Sequence, residues 1–327
     1  MCRAESPPAI QARNPLSTPG IATPHSNQSR PPTRHPAPAL SVVVACAERP
    51  DSLHRCIASL QKTCNGIETE IIVVTAVDGF RGHEFSARYP GIRYIAMPAD
   101  TLVPRLWSEG ITASAAEVVA LTISQCSASP GWARSMLSAI SRGAVAAGGP
   151  LTLSPTASRF DSAIFFLRYS AYLAGRSQTS AGIAGDNCVY TSKALEAGGW
   201  SRTAGFWEVE VNKLLAERGD SIAWVPEAEM EFGDGGSVTA NTRRRFVHGR
   251  HFGASRRIDR GESSTRILLA SPLVPMVLFG RAVRRAWPSK EYRRKLIAAA
   301  PAFAVLSAAW ALGEAVGAIG GRSAHRS

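Results

Sequence analysis

Short β-branched runs alternate with amphipathic stretches through the middle of the chain. Leu40 to Ala45 is apolar and β-branched at its centre, the pattern of a buried parallel strand. Pro50-Asp51-Ser52 opens a helix that sets Leu53, Cys56, Ile57 and Leu60 on one face. Glu70 to Val74, Ile92 to Ala96 and Val118 to Ile123 read as further strands, with a helix over Arg105 to Ala116. Pro130-Gly131-Trp132 starts another helix, running to about Arg142, and Val145 to Ala147 leads into Gly148-Gly149-Pro150. This alternation predicts an α/β domain with a mostly parallel sheet and crossover helices. Such sheets bind ligands at the carboxyl ends of their strands, so chemistry is expected in segments 45–50, 75–80, 97–105, 123–129 and 185–190.

The flanks differ. Residues 1–39 are rich in Pro, Ser, Thr and Arg and read as a disordered leader. The α/β domain then covers 40–240, a basic segment 241–265, an apolar helical hairpin or membrane segment 266–321, and a short tail 322–327. Ile267 to Gly280 is apolar or small but interrupted by Pro272 and Pro275, too short for an ordinary membrane helix. Leu296 to Gly321 is long enough to span and carries one charge, Glu314. The cations between the two stretches would face the cytoplasm. The rival is a soluble helical hairpin, which Glu314 supports because an intramembrane carboxylate is costly. Gly313-x-x-x-Gly317-x-x-x-Gly321 allows close helix packing.

Charge narrows the function classes. The 327 residues carry a net +12, yet 40–240 sums to −4 while 241–327 sums to +13. A nucleic-acid enzyme usually concentrates positive charge on its working domain, so nucleic acid is not an expected partner. The six cysteines include no Cys-x-x-Cys pair, so no zinc set is implied, and they fit a reducing cytosol. The N-terminus has no apolar stretch, so no secretory signal is expected.

Ser41 to Leu60, a strand, a turn and a helix, resembles the opening of a family-2 glycosyltransferase. Further landmarks follow in that family's order. They are Glu70 to Val74 with Asp78-Gly79, Val118 to Trp132, Gly185-Asp186-Asn187 through Gly198-Gly199-Trp200, and Phe206-Trp207-Glu208-Val209-Glu210. The similarity covers roughly 40–260 and is nearest to bacterial membrane-associated members. It implies a Rossmann-like GT-A domain that binds a nucleotide-sugar, followed by a helical membrane-associated tail. The implied reaction moves the sugar to a glycan or lipid-linked envelope acceptor at the cytoplasmic face of the plasma membrane, with anionic lipid as a further partner.

The same resemblance names site residues. Glu208 stands at the position of the catalytic base, which would make the transfer inverting; an ordinary helix-start carboxylate is the alternative. Ala45, Glu48, Asp78, Arg105 and Gln125 fall on the donor side, with Asp78 equally readable as a solvated turn residue and Arg105 as a surface ion pair. Asp186, Asn187 and Trp207 fall on the acceptor side. The family's Asp-x-Asp metal motif is degenerate here. Thr122-Ile123-Ser124-Gln125-Cys126 stands where relatives tend to have Thr-Glu-Asp-His-Cys, and Glu231-Phe232-Gly233-Asp234 stands near the place of a later His. Neutral Ser and Gln oxygens replace charged ligands poorly around Mg²⁺ or Mn²⁺, so no metal or cofactor is expected and metal dependence should be weak or absent. The arginines of 243–257 would lie against anionic lipid or, alternatively, supply the charge a metal would have given. A catalytically inactive glycosyltransferase-like binding protein is the alternative function.

Overall fold

The computed structural model describes residues 37–47, 50–99, 101–175, 182–258 and 260–320. The expected leader up to residue 36 and the tail beyond 320 lie outside them.

The β-branched runs form the centre of a seven-stranded sheet. Strand β1 (Leu40–Cys46) is buried along its whole length and is followed by helix α1 (Pro50–Thr63) and β2 (Thr69–Thr75). A short helix α2 (Gly82–Arg88) precedes β3 (Arg93–Ala96). Helix α3 (Val103–Ala113) starts two residues before the position expected from the sequence, because Pro104 fits the first turn, where no backbone donor is needed. It presses on β1 at Gly110, where a Cβ would sit 2.1 Å from Val43. Then come β4 (Val118–Ile123), β5 (Cys126–Ala128), α4 (Trp132–Ser141), β6 (Ala146–Gly148), β7 (Leu151–Leu153) and α5 (Arg159–Tyr169). Ser158 and Asp161 cap α5 reciprocally. The domain continues with β8 (Cys188–Thr191), α6 (Ser192–Ala197), α7 (Glu208–Glu217), β9 (Ile222–Trp224) and β10 (Met230–Phe232).

The large sheet has the order β3-β2-β1-β4-β8-β6-β9. Its first four strands are parallel, and β8 runs antiparallel to both β4 and β6. The mostly parallel sheet read from the sequence is therefore present, with one reversed strand. From β1 the chain builds outward through β2 and β3, then returns to place β4 on the other side of β1. That reversal opens a crevice beyond the carboxyl ends of β1 and β4. A second sheet, β5-β10-β7, lies outside the sequence-based expectation because three-residue strands carry too little periodicity to detect.

The basic segment is a helix, α8 (Val238–Ile258). After it come α9 (Ser264–Ala270), a 3₁₀ turn at Ser271–Leu273, α10 (Val274–Ala286) and α11 (Lys290–Gly320). Contrary to the expectation from the sequence, Pro272 and Pro275 do not cut the first apolar stretch short. Each occupies a first-turn position, so helical structure runs from Ser264 to Ala286. Both Ser264–Ala286 and Lys290–Gly320 are long and apolar enough to cross a membrane. The hairpin also packs on the α/β domain, since Ala282, Ala286, Leu296, Ala299 and Phe303 belong to the same buried core as the sheet. Glu314, expected to oppose membrane insertion, is buried and paired with Arg256 of α8 at 2.6 Å.

Candidate active site

A cavity of about 730 Å³ occupies the crevice at the strand ends. Ala45, Ala47 and Ala76 line it where β1 and β2 finish, and Ile123 and Gln125 line it at the end of β4. Small side chains here let a ligand approach the strand ends closely. Trp107 of α3 donates from Nε1 to the Thr122 carbonyl at 2.9 Å, which fixes its ring in the wall.

The acidic groups converge from two loops. Glu208 opens α7 and Asp186 sits in the turn before β8; both line the cavity. Asp186 accepts two hydrogen bonds from Arg168 Nη2 of α5, at 3.0 and 2.9 Å. Gly185 makes the convergence possible, because a Cβ there would meet Trp107 at 2.7 Å and Glu208 Cγ at 3.1 Å. A helix N-terminus favours the carboxylate anion, yet at Glu208 burial wins. Desolvation first, and the charge of Asp186 second, push its pKa up to about 7. Such a group can take up a proton near neutral pH.

The opposite wall is α8. Arg243, Arg244, Arg245, His248 and Arg250 line the cavity from it, with Arg260 just beyond. The Arg244 guanidinium donates to the Ala47 carbonyl, tying α8 to the end of β1. Burial, then the charge of Arg168, lowers the Arg245 pKa to about 10. Burial, then Arg245, lowers that of His248 to about 3, so this imidazole is neutral at pH 7. Crowded cations in a partly desolvated wall favour an anionic ligand.

The structure gathers Ala45, Gln125, Asp186, Trp207 and Glu208 around one cavity. It places three other expected residues elsewhere. Asn187 is fully buried and does not line the cavity. Its Oδ1 accepts from Trp132 Nε1 at 2.8 Å, and its Nδ2 donates to the Pro150 and Ala228 carbonyls at 2.9 and 2.8 Å. With its amide committed to three partners, it pins the scaffold beneath Asp186. Arg105 is also outside the lining, because its guanidinium turns to the Thr203 carbonyl. Asp78 is exposed in the turn beyond β2, two residues past the cavity-lining Ala76. Glu48 falls outside the described residues.

Two groups of site residues escaped the sequence reading. Arg168 lies in the otherwise apolar run Phe165-Phe166-Leu167-Arg168-Tyr169, and a lone charge there was the available signal. Tyr169 and Tyr172, also on the cavity, carried no distinguishing pattern.

The groups at the Asp-x-Asp position are poor donors for a divalent cation. In the Asp-x-Asp position Ile123 and Gln125 reach the cavity, the first with an apolar side chain and the second with a neutral amide. Thr122 Oγ1 turns to Met230 Sδ, and Ser124 is buried. Asp186 is already held by Arg168. Glu231, Gly233 and Asp234 line a separate cleft of about 260 Å³ on the far side of Gln125. Among the described residues, no three His, Cys, Asp or Glu side chains cluster as a metal site.

No protein-family model and no curated protein sequence matches the chain. Among solved structures it is similar to a mannosyltransferase from Pyrobaculum calidifontis in complex with GDP-Man and Mn²⁺. That likeness has 13% identity and a TM-score of 0.46, and covers 82% of this chain and 87% of that one. At this distance the likeness assigns no chemistry to the chain.

Proposed function

We propose that this cavity binds a nucleotide-sugar and that the chain is a family-2-like glycosyltransferase of the inverting type. The observation carrying the reading is the convergence of Glu208, its pKa raised to about 7, with an arginine wall at the switch point of a parallel sheet. Glu208 takes the proton from the acceptor hydroxyl as the acceptor oxygen bonds to the anomeric carbon. The bond from that carbon to the diphosphate breaks, and the nucleoside diphosphate leaves with the electron pair. Guanidinium groups of Arg243 to Arg245 meet the growing phosphate charge, a role their planar donors suit. Metal dependence is weak or absent because these cations supply the compensation. A volume of about 730 Å³ suits a ligand of nucleotide-sugar size. The acceptor is a lipid-linked or envelope saccharide reached at the cytoplasmic face of the plasma membrane, with Asp186 and Trp207 on its side of the cavity.

One observation favours a second reading, a nucleotide-sugar-binding protein without turnover: no carboxylate stands at 123–125. The variant Glu208→Gln separates the two. Transfer or hydrolysis should fall about 10²-fold or more while nucleoside diphosphate affinity stays within about threefold. Turnover that survives the change removes Glu208 as the base. Absence of turnover in the unsubstituted chain, with binding intact, favours the second reading, and absence of binding removes both.

A further inference from the structure

We propose that the C-terminal hairpin does not cross a membrane but lies along one leaflet, inserting its outer face into an anionic lipid surface. The proposal stands on the packing of α11 and does not depend on the glycosyltransferase reading.

Both halves of α11 are fastened to other parts of the molecule, the first to the core of the α/β domain and the second to α8. In its first half, Tyr292 packs against Phe165 and Phe166 of α5, each at 6.1 Å, and Arg285 of α10 donates to Ser170 Oγ. Its second half runs alongside α8 at backbone contact. A Cβ on Gly313 would meet the Phe246 carbonyl at 2.0 Å, and one on Gly317 the Arg250 carbonyl at 2.0 Å. Gly249 and Gly253 make the reciprocal approach to Trp310 and Glu314. The Arg256–Glu314 ion pair and the bond from Arg257 to the Ile319 carbonyl at 2.9 Å complete the seam. The seam runs along α8 from Phe246 to Arg257, about 17 Å, so α8 would be drawn into the hydrocarbon core alongside the second half of α11. It would take Arg243, Arg244, Arg245 and Arg250, and one wall of the cavity, into lipid. Crossing is therefore incompatible with this packing.

The outer face is nevertheless apolar. On α11 the exposed positions from residue 297 onward are Ile297, Ala298, Pro301, Ala304, Val305, Ala308, Leu312, Val316, Ile319 and Gly320, without a single polar side chain. This is a stripe at helical spacing that faces away from α5 and α8. Leu269 and Met276 extend the patch, at 75% and 72% exposed. Exposed Arg281, Arg284, Lys290 and Arg294 gather at the α10–α11 turn. An apolar stripe with a cationic margin is complementary to acyl chains beneath anionic head groups, entered to a depth of about 5–10 Å.

Two measurements on the full chain test the proposal. The first is flotation with vesicles of phosphatidylcholine containing about one third phosphatidylglycerol. The double substitution Leu312→Glu and Val316→Glu, at exposed positions, should reduce bound protein about tenfold or more without altering the circular dichroism. The second maps sidedness in cells, in a Cys2→Ser background where the remaining cysteines are buried. Residues Lys290 and Gly320 stand at the two ends of α11. The variants K290C and G320C should both react with an impermeant thiol reagent from the cytoplasmic side. Reaction of the two from opposite sides means that α11 crosses, and overturns the proposal. So does a chain that ignores vesicles but forms a dimer dispersed by the double substitution, since the face then covers a second copy.

Discussion

The cavity has two walls of opposite character. The sheet wall is neutral, built from Ala45, Ala47, Ala76, Ile123 and Gln125 at the strand ends. The helix wall, α8 and the turn after it, contributes five arginines to the same space. The sheet supplies position and room, and the helix supplies charge. Positive charge in the cavity is therefore offered by the helix wall rather than by groups held on the strands. The integrity of the site then depends on the seam between α8 and α11 as much as on the sheet.

The largest expected effect separates chemistry from binding. In a pH series, turnover by the unsubstituted chain should rise through about pH 7 as Glu208 loses its proton, and Glu208→Gln should flatten this limb. Next comes the seam. Gly313→Leu places a side chain where the Phe246 carbonyl already lies, so urea denaturation should show a loss of about 3 kcal/mol and nucleotide binding should fall with it. A comparable perturbation on the sheet side should behave differently. Asn187→Ala strands three buried hydrogen-bond partners and should cost about 2–3 kcal/mol, while nucleoside diphosphate affinity at low temperature stays unchanged. An affinity loss without a stability loss would instead make Asn187 a ligand contact.

Smaller effects sharpen the contrast. Arg245→Gln should weaken nucleoside diphosphate binding about tenfold by calorimetry, whereas Arg105→Gln, outside the cavity, should leave it unchanged. The last effect concerns stability. Folding raises the Glu208 pKa, so folding favours its protonated form. That contribution is complete below the ordinary carboxylate range and is lost as pH rises through about 7. Glu208→Gln should therefore stabilise the fold above pH 7 by about 1 kcal/mol, solvent contact holding the gain below its full value, with no change near pH 4.

The parts of the fold legible in the sequence were those whose burial is written in one-dimensional pattern. The core strands β1, β2 and β4 announce themselves as β-branched runs, and α1 as a one-sided helix. Helix α8 was not read as a helix because its arginines are distributed around it, and its stability comes from tertiary contact with α11 rather than from an apolar stripe. Among the candidate site residues, Glu208 and Asp186 both line the cavity, and both were legible because position along the chain and chemical type agreed. Asn187, expected beside Asp186, lies outside the cavity lining. Its neighbour faces the cavity, and successive positions entering β8 point to opposite sides. The link from Arg168 to Asp186 is tertiary, and no spacing along the chain announces it.

The central question is where the diphosphate charge is met. Titrating the full chain with a nucleoside diphosphate, in Mn²⁺ and then in excess chelator, measures this directly. If the α8 arginines supply the compensation, the two dissociation constants should agree within about twofold. A gain of about tenfold or more with Mn²⁺ would show that a cation is held after all and would contradict the assignment of that charge to the helix wall.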